Sequence, residues 1–341
     1  MKKRRIFLLV DWIDTGDFFL QKELQQAGWA VRLIDIPNYS MKDRTVKFRI
    51  ILLYFKYMVQ VIKAIRWSAK DDIIVCWNFT TGMGAGLINR LFLRKRRILA
   101  LNMISHFSSG MVSKIRFFIF RLAMNQSDFH ITVNAANYIA INAKRFKVPE
   151  RKFFVLPDPV KDRFPFKVNI KNDGYVFSGG EAQRDWRLLF EAARQLPDIA
   201  FKVVARKKYV DPALIVPANV HLLFDVEYDH FSRLMASAAL VVIPLTSTFP
   251  CGLIVIGDAG LMKKAVIVTR TPSTENYILP NETGILIEVN DLEAMKNEIR
   301  RLFDNSDECQ RLGENLHNFL RREFAVQNYI DRMISILEVY T

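Results

Sequence analysis

Cysteine is scarce. The 341 residues include three, Cys76, Cys251 and Cys309, far apart and without CxxC or Cys/His spacing. That argues against a disulfide framework and a structural zinc site, and no metal site is expected. A reducing cytoplasm suits such a chain. Long apolar runs are lacking too: Lys or Arg interrupts each one well short of about 18 residues, so no segment is expected to span a bilayer and membrane contact should be peripheral. After Lys2-Lys3-Arg4-Arg5 only Ile6 to Val10 are apolar before Asp11, too short for a signal-peptide core, so export by that route is not expected. With 14 glycines, 12 prolines and no short repeat, a collagen-like fibre is excluded. Half the residues are hydrophobic and a quarter charged, which describes a globular protein of two ordinary domains or one large one.

Negative charge is sparse in one half only. Residues 1–160 carry 27 Lys and Arg against 11 Asp and Glu, while residues 161–341 carry 22 against 24, so the whole net charge of +14 is N-terminal. One half therefore faces an anionic partner. From Arg44 to Lys70 the basic residues alternate with aliphatic and aromatic ones at helical spacing, and Leu91–Arg97 and Lys114–Arg121 repeat the mixture. A basic, strongly apolar helix suits a headgroup interface, with Phe48, Tyr54, Phe55, Tyr57 and Trp67 at the boundary and Lys47, Arg49, Lys56, Lys63 and Arg66 toward phosphates. Core-packed helices with snorkelling basic stems are the alternative for any one segment. No helix-turn-helix, zinc-finger or RNA-binding aromatic signature accompanies the charge, so nucleic acid is not expected.

Short β-rich runs alternate with helical patterns throughout, which predicts an α/β protein of two doubly wound Rossmann-like domains. Strands are expected at Arg5–Val10, Val31–Ile36, Asp72–Trp77, Ile98–Asn102, Phe129–Val133 and Lys152–Leu156. A second set is expected at Tyr175–Ser178, Ala200–Ala205, Val220–Phe224, Leu240–Pro244, Ala265–Thr269 and Gly284–Ile287. Pro157, Pro159 and Pro165 mark a connection, giving domains of residues 1–160 and 161–325 and a final helix, 326–341. Ligands of such sheets bind outside the carboxyl ends of the strands, so the chemistry is sought in the loops there.

Two loops of the second half stand out. Ser178-Gly179-Gly180-Glu181-Ala182-Gln183-Arg184-Asp185-Trp186 leaves a strand and enters a helix; paired glycines admit an anion to backbone N–H groups, the helix start adds positive potential, and Arg184 offers a fork for phosphate oxygens. A plain strand-to-helix turn is the alternative. In the second loop Gly252 opens an apolar helix on which Asp258 is isolated. Such a carboxylate either meets a partner or ligand, as one meets a nucleotide ribose, or turns to solvent.

The order of the Ser-Gly-Gly…Arg-Asp loop, Ala236-Ser237-Ala238-Ala239-Leu240-Val241-Val242-Ile243-Pro244-Leu245, Cys251-Gly252…Asp258-Ala259, Val266-Ile267-Val268-Thr269 with Thr271-Pro272, and Glu275-Asn276-Tyr277-Ile278 before Asn281-Glu282-Thr283-Gly284 resembles the C-terminal domain of retaining GT-B glycosyltransferases of the group 1, or family 4, type. The resemblance spans roughly Tyr175 to Tyr340 and in the first half is confined to architecture. It implies two domains facing a cleft, a nucleotide-diphosphate sugar donor held mainly by the second, an acceptor held mainly by the first, no obligatory metal or other cofactor, and a final helix returning to the first domain. By resemblance Arg184 neutralises the donor diphosphate, Gly179 and Gly180 approach it, and Cys251, Gly252, Leu253 and Ile254 bring helix N–H groups toward it. Asp258 matches the second glutamate of the paired-glutamate motif, which holds the ribose. His106 stands where the family often keeps a catalytic histidine.

This chain departs from the family pattern at several points. Pro250 replaces the first glutamate, Asp258 is a methylene shorter than Glu, Glu181 stands where Arg is frequent, and Lys263-Lys264-Ala265 replaces a Gly-Lys-Pro turn. Asp11 with Thr15-Gly16 occupies the place of an acceptor loop without its usual glycine pair, and Asn78–Gly86 suits close helix-to-sheet packing. The reading that follows is a metal-independent hexosyltransferase acting on a lipid-linked or envelope-glycan acceptor in cell-envelope polysaccharide synthesis. It would be cytoplasmic and peripheral on the anionic inner face of the cytoplasmic membrane. The alternative is a non-catalytic GT-B relative acting as a nucleotide-binding or partner subunit.

Overall fold

In the computed structural model the described residues are 5–11, 18–36, 47–92, 95–103, 111–164, 166, 172–181, 183–246 and 250–340. The chain divides into two compact units, Met1–Pro157 with Tyr329–Thr341, and Asp158–Asn328.

The first unit runs β1 (Arg5–Leu9), α1 (Phe19–Gln26), β2 (Ala30–Ile34), α2 (Lys47–Trp67), β3 (Ile73–Cys76), α3 (Phe79–Leu91), β4 (Arg97–Ala100), α4 (Met111–Met124), β5 (Phe129–Val133), α5 (Asn137–Phe146) and β6 (Phe153–Val155). All six strands pair in parallel in the order β2-β1-β3-β4-β5-β6. Their sequences explain this: Ile73-Ile74-Val75-Cys76 is buried on both faces, as a central parallel strand must be. Helix α3 begins where the Asn78 side chain accepts from Thr81 N at 2.8 Å. It lies against the sheet through its glycines, and a Cβ at Gly82 would come within 2.3 Å of Ala100 Cβ.

The final helix, α12 (Val326–Glu338), contributes Tyr329 onward to this unit. Beyond it Tyr340 is anchored: His130 Nδ1 lies 2.8 Å from Tyr340 Oη, which donates to Ile98 O at 3.1 Å. With that proton engaged, the His130 ring must supply the other. Burial first, and Lys152 second, hold this histidine down at about 4.

The second unit runs β7 (Tyr175–Gly180), α6 (Trp186–Arg194), β8 (Ala200–Ala205), β9 (Val220–Phe224), α7 (Tyr228–Ala236), β10 (Leu240–Ile243), α8 (Leu253–Leu261), β11 (Ala265–Thr269), α9 (Thr274–Tyr277), β12 (Ile285–Ile287), α10 (Leu292–Asp304) and α11 (Ser306–Glu323). Its parallel order is β12-β11-β10-β7-β8-β9. Helices α6 and α10 cover one face of the sheet and α7 and α8 the other, while α11 contributes Cys309 and Leu312 to the first core and Leu316 and Leu320 to the second. The twelve strands lie where the hydrophobic runs predict them. One boundary differs: β7 continues through Gly179 and Gly180, which pair with Val204 and Ala205, so the glycines end a strand and do not form a loop.

Replacing Gly82 by Val should cost about 2 kcal/mol of unfolding free energy, because the Ala100 backbone cannot move aside. Urea denaturation measures it.

Candidate functional site

The second sheet reverses its strand order between β7 and β10, the position at which an open α/β sheet leaves a crevice beyond its carboxyl ends. The loops after these two strands are joined there. Arg184 forms an antiparallel bridge with Leu245, Asp185 N donates to Pro244 O at 3.1 Å, and Thr246 donates from N to Gln183 O (3.1 Å) and from Oγ1 to Gln183 Oε1 (3.0 Å). Leu245 N in turn donates to Thr269 Oγ1 at 2.9 Å, tying in the end of β11.

Arg184 is only 9% exposed, and its Nε donates to Gly179 O at 3.0 Å. Gly180, at φ +139°, gives the guanidinium its room, since a Cβ there would stand 2.3–2.7 Å from it. Gly179 serves packing: a Cβ would meet the Phe231 ring at 2.4 Å. Burial pulls the Arg184 pKa down and the Cys251 thiol up, and each offsets the other's shift in part, which marks them as neighbours. Arg184, Cys251 and Gly252 are thereby brought together.

The two helix starts beside the crevice differ. The start of α6 is closed by its own Asp185, whose Oδ1 accepts from Leu188 N at 2.9 Å, so the helix after the glycines does not offer the open positive end expected of it. Gly252, at φ +84°, leads into α8 with no side-chain cap among the described residues and no acid in the first turn. Its leading N–H groups are the ones suited to an anion.

Asp258 lies on α8 about 9 Å of axial rise beyond Gly252. It is 3% exposed, and its Oδ2 accepts from Arg163 Nη2 at 2.8 Å and Tyr228 Oη at 3.1 Å. Arg163 Nε also donates to Tyr228 Oη at 2.9 Å, with the guanidinium 4.8 Å from the ring centroid. Burial pushes the carboxyl upward and Arg163 opposes that. The isolated carboxylate thus meets a protein partner. Sequence reasoning named neither Arg163 nor Tyr228, although a buried Asp required a cation somewhere. Asp258 stands on α8 while Arg184 is held by Gly179 and Leu245, and the two have no direct contact among the described residues.

The other motif residues are accounted for locally. Glu181 pairs with Arg206 at 2.7 Å, and Arg206 reaches Asp225 at 3.5 Å, so that basic loop residue is engaged by carboxylates. Lys263 takes φ +55° at the turn where the family keeps glycine. Lys264 Nζ donates to Ala238 O at 2.7 Å, and burial lowers its pKa to about 8. These two lysines line a cavity of about 410 Å³ with Cys309 and Glu314, at the opposite, amino-terminal edge of the sheet. His106, Thr15 and Gly16 lie outside the described residues. Among the described residues no three His, Cys, Asp or Glu side chains converge as a metal site.

Arg163→Gln should destabilise the protein by about 1–2 kcal/mol at pH 8, a modest figure because the guanidinium is 42% exposed. Losing the opposing charge raises the folded-state pKa of Asp258 further, and a raised acid is least costly when protonated. The deficit should therefore shrink as pH falls toward about 4. Urea midpoints of both proteins across that range measure it.

Residues 171–319 match the model of the family "Glycosyl transferases group 1". No match is found among curated proteins. Among solved structures the chain is similar to a glycosyltransferase from Rickettsia africae ESF-5, at 13% identity over 100% of this chain and 99% of that one, with a TM-score of 0.70. It is similar to Anabaena Alr3699/HepE in complex with UDP and glucose, at 15% identity over 98% and 100%, TM-score 0.68. It is similar also to the lipopolysaccharide outer core galactosyltransferase WaaB, at 11% identity over 99% and 100%, TM-score 0.67. The match to the group 1 glycosyl transferases is thus confined to residues 171–319, and the chain as a whole has the two-sheet GT-B fold of these structures.

Proposed function

We propose that the protein transfers a sugar, with retention of configuration and without a metal, from a nucleotide-diphosphate donor to a lipid-linked or envelope-glycan acceptor. It would do so as a peripheral protein on the inner face of the cytoplasmic membrane. The observation that carries this reading is the switch point between β7 and β10, where the buried Arg184 neighbours Cys251, just ahead of the Gly252 start of α8. The Anabaena neighbour, which binds UDP and glucose, supports a nucleotide-sugar donor. The lipopolysaccharide galactosyltransferase supports an envelope acceptor.

In this scheme the diphosphate lies against the N–H groups at Gly252 and Leu253, with Arg184 neutralising the charge that grows as the bond from the sugar C1 to phosphate oxygen breaks. The acceptor oxygen bonds to C1 on the same face, and its proton passes to the departing phosphate oxygen, so no enzyme nucleophile is required. Asp258 accepts from the ribose hydroxyls through Oδ1, its Oδ2 being held by Arg163 and Tyr228. His106, assigned by resemblance alone, completes the acceptor side.

A second reading is favoured by one residue. Pro250 stands where the family carries the carboxylate for the donor sugar, and its loss suits a nucleotide-binding partner subunit without turnover. Calorimetry with a panel of nucleotide sugars, followed by donor hydrolysis and transfer assays, separates the two, since binding without turnover assigns the second. Arg184→Ala and Arg184→Lys should each lower turnover, the former by about 10²–10³-fold. Unchanged turnover in a folded Arg184→Ala protein removes the residue from the site.

A further inference from the structure

Helix α2 is set against the first sheet by Gln60, whose Nε2 donates to Val10 O at 2.7 Å and Ile34 O at 2.5 Å, the carbonyls at the carboxyl ends of β1 and β2. From that level the helix runs back over the sheet, and Val61, Ala64 and Ile65 join the core. Residues Lys47–Val59 come before it, about 20 Å of helix reaching past the strand ends. Leu53 and Tyr57 accordingly pack on Ile36, two residues beyond β2, in a small cluster apart from the main core.

The outer side of this overhang is apolar as well. Ile51 is 69% and Phe55 65% exposed, with Leu52, Tyr54 and Met58 beside them. A helix apolar all round belongs in an interior, and contiguous exposed apolar surface marks a contact. The charged residues of the overhang, Lys47, Arg49 and Lys56, are all basic, and no acid occurs from Arg44 to Lys70. That pairing of aromatic surface with one sign of charge complements anionic headgroups above acyl chains.

Polar groups lie at its base. Tyr57 Oη donates to Asp11 Oδ2 at 3.0 Å at the switch point between β1 and β3. Gln60 Oε1 and, at the start of α3, Asn78 Nδ2 are buried without a hydrogen-bond partner among the described residues. Unsatisfied buried amides are uncommon and suit a ligand rich in hydroxyls.

We propose that the overhanging half of α2 is the part of the protein that enters an anionic bilayer, bringing the polar groups around Asp11 toward headgroup level, where the sugar of a lipid-linked acceptor stands. The acceptor's identity rests on the transfer reading above; the docking face does not.

The full chain is sedimented with phosphatidylcholine vesicles with and without phosphatidylglycerol. Binding to the anionic vesicles, weakening as salt rises, is expected. The double variant Ile51→Ser/Phe55→Ser should bind them about tenfold less or weaker still, with unchanged thermal unfolding and nucleotide binding. A control on α4, Ile115→Ser/Phe118→Ser, should lose less than about threefold. The proposal is overturned if the wild type ignores both vesicles, or if the α4 control loses as much as the α2 variant. It is equally overturned if light scattering shows a dimer that the α2 variant abolishes, which makes a second copy the occupant. Absence of nucleotide binding in the wild type would sink the transfer reading and leave the vesicle result standing.

Discussion

Burying a guanidinium is the constraint around which the carboxyl-terminal edge of the second sheet is built. A cation with less than a tenth of its surface in water needs acceptors and polar neighbours at close range, and Arg184 finds one in the Gly179 carbonyl at the end of β7. That arrangement dictates the glycine at 180, the carbonyl of Gly179 as acceptor, and the left-handed Gln183 that turns the chain back toward Leu245. The opposite sign is treated in the same way farther along α8, where Asp258 is held by Arg163 and Tyr228. One short apolar helix thus has a buried cation near its start and a buried anion on its body, each held by groups from other elements.

The first unit carries its charge differently. Its excess of Lys and Arg is largely at the surface and interleaved with apolar side chains, most densely on α2, while Asp11, Gln60 and Asn78 place polar groups near the carboxyl ends of β1 and β3. Among the described residues no helix is long and apolar enough to cross a membrane.

Much of the fold was legible because parallel strands buried on both faces must be written as short runs of Val, Ile and Leu, and those runs lie where the twelve strands form. The ends of β7 were misread for a physical reason: glycine signals a turn, yet here it keeps the strand going so that Phe231 and Arg184 can approach the backbone. Arg184, Cys251 and Gly252 could be picked out because each lies next to a strand end or helix start. The partners of Asp258 could not, being 95 and 30 residues away in the chain, where periodicity carries no information about contact. Asp185 shows a third kind of miss: the same residue that announces a helix start also neutralises it as an anion site.

The cross-links between the loops after β7 and β10 have a mechanical corollary. Gln183, Arg184 and Asp185 grip Pro244, Leu245 and Thr246 by backbone as well as side chain, and Leu245 grips Thr269, so these segments are coupled to one another. A displacement of any one of these three strand tips is thereby shared by the other two.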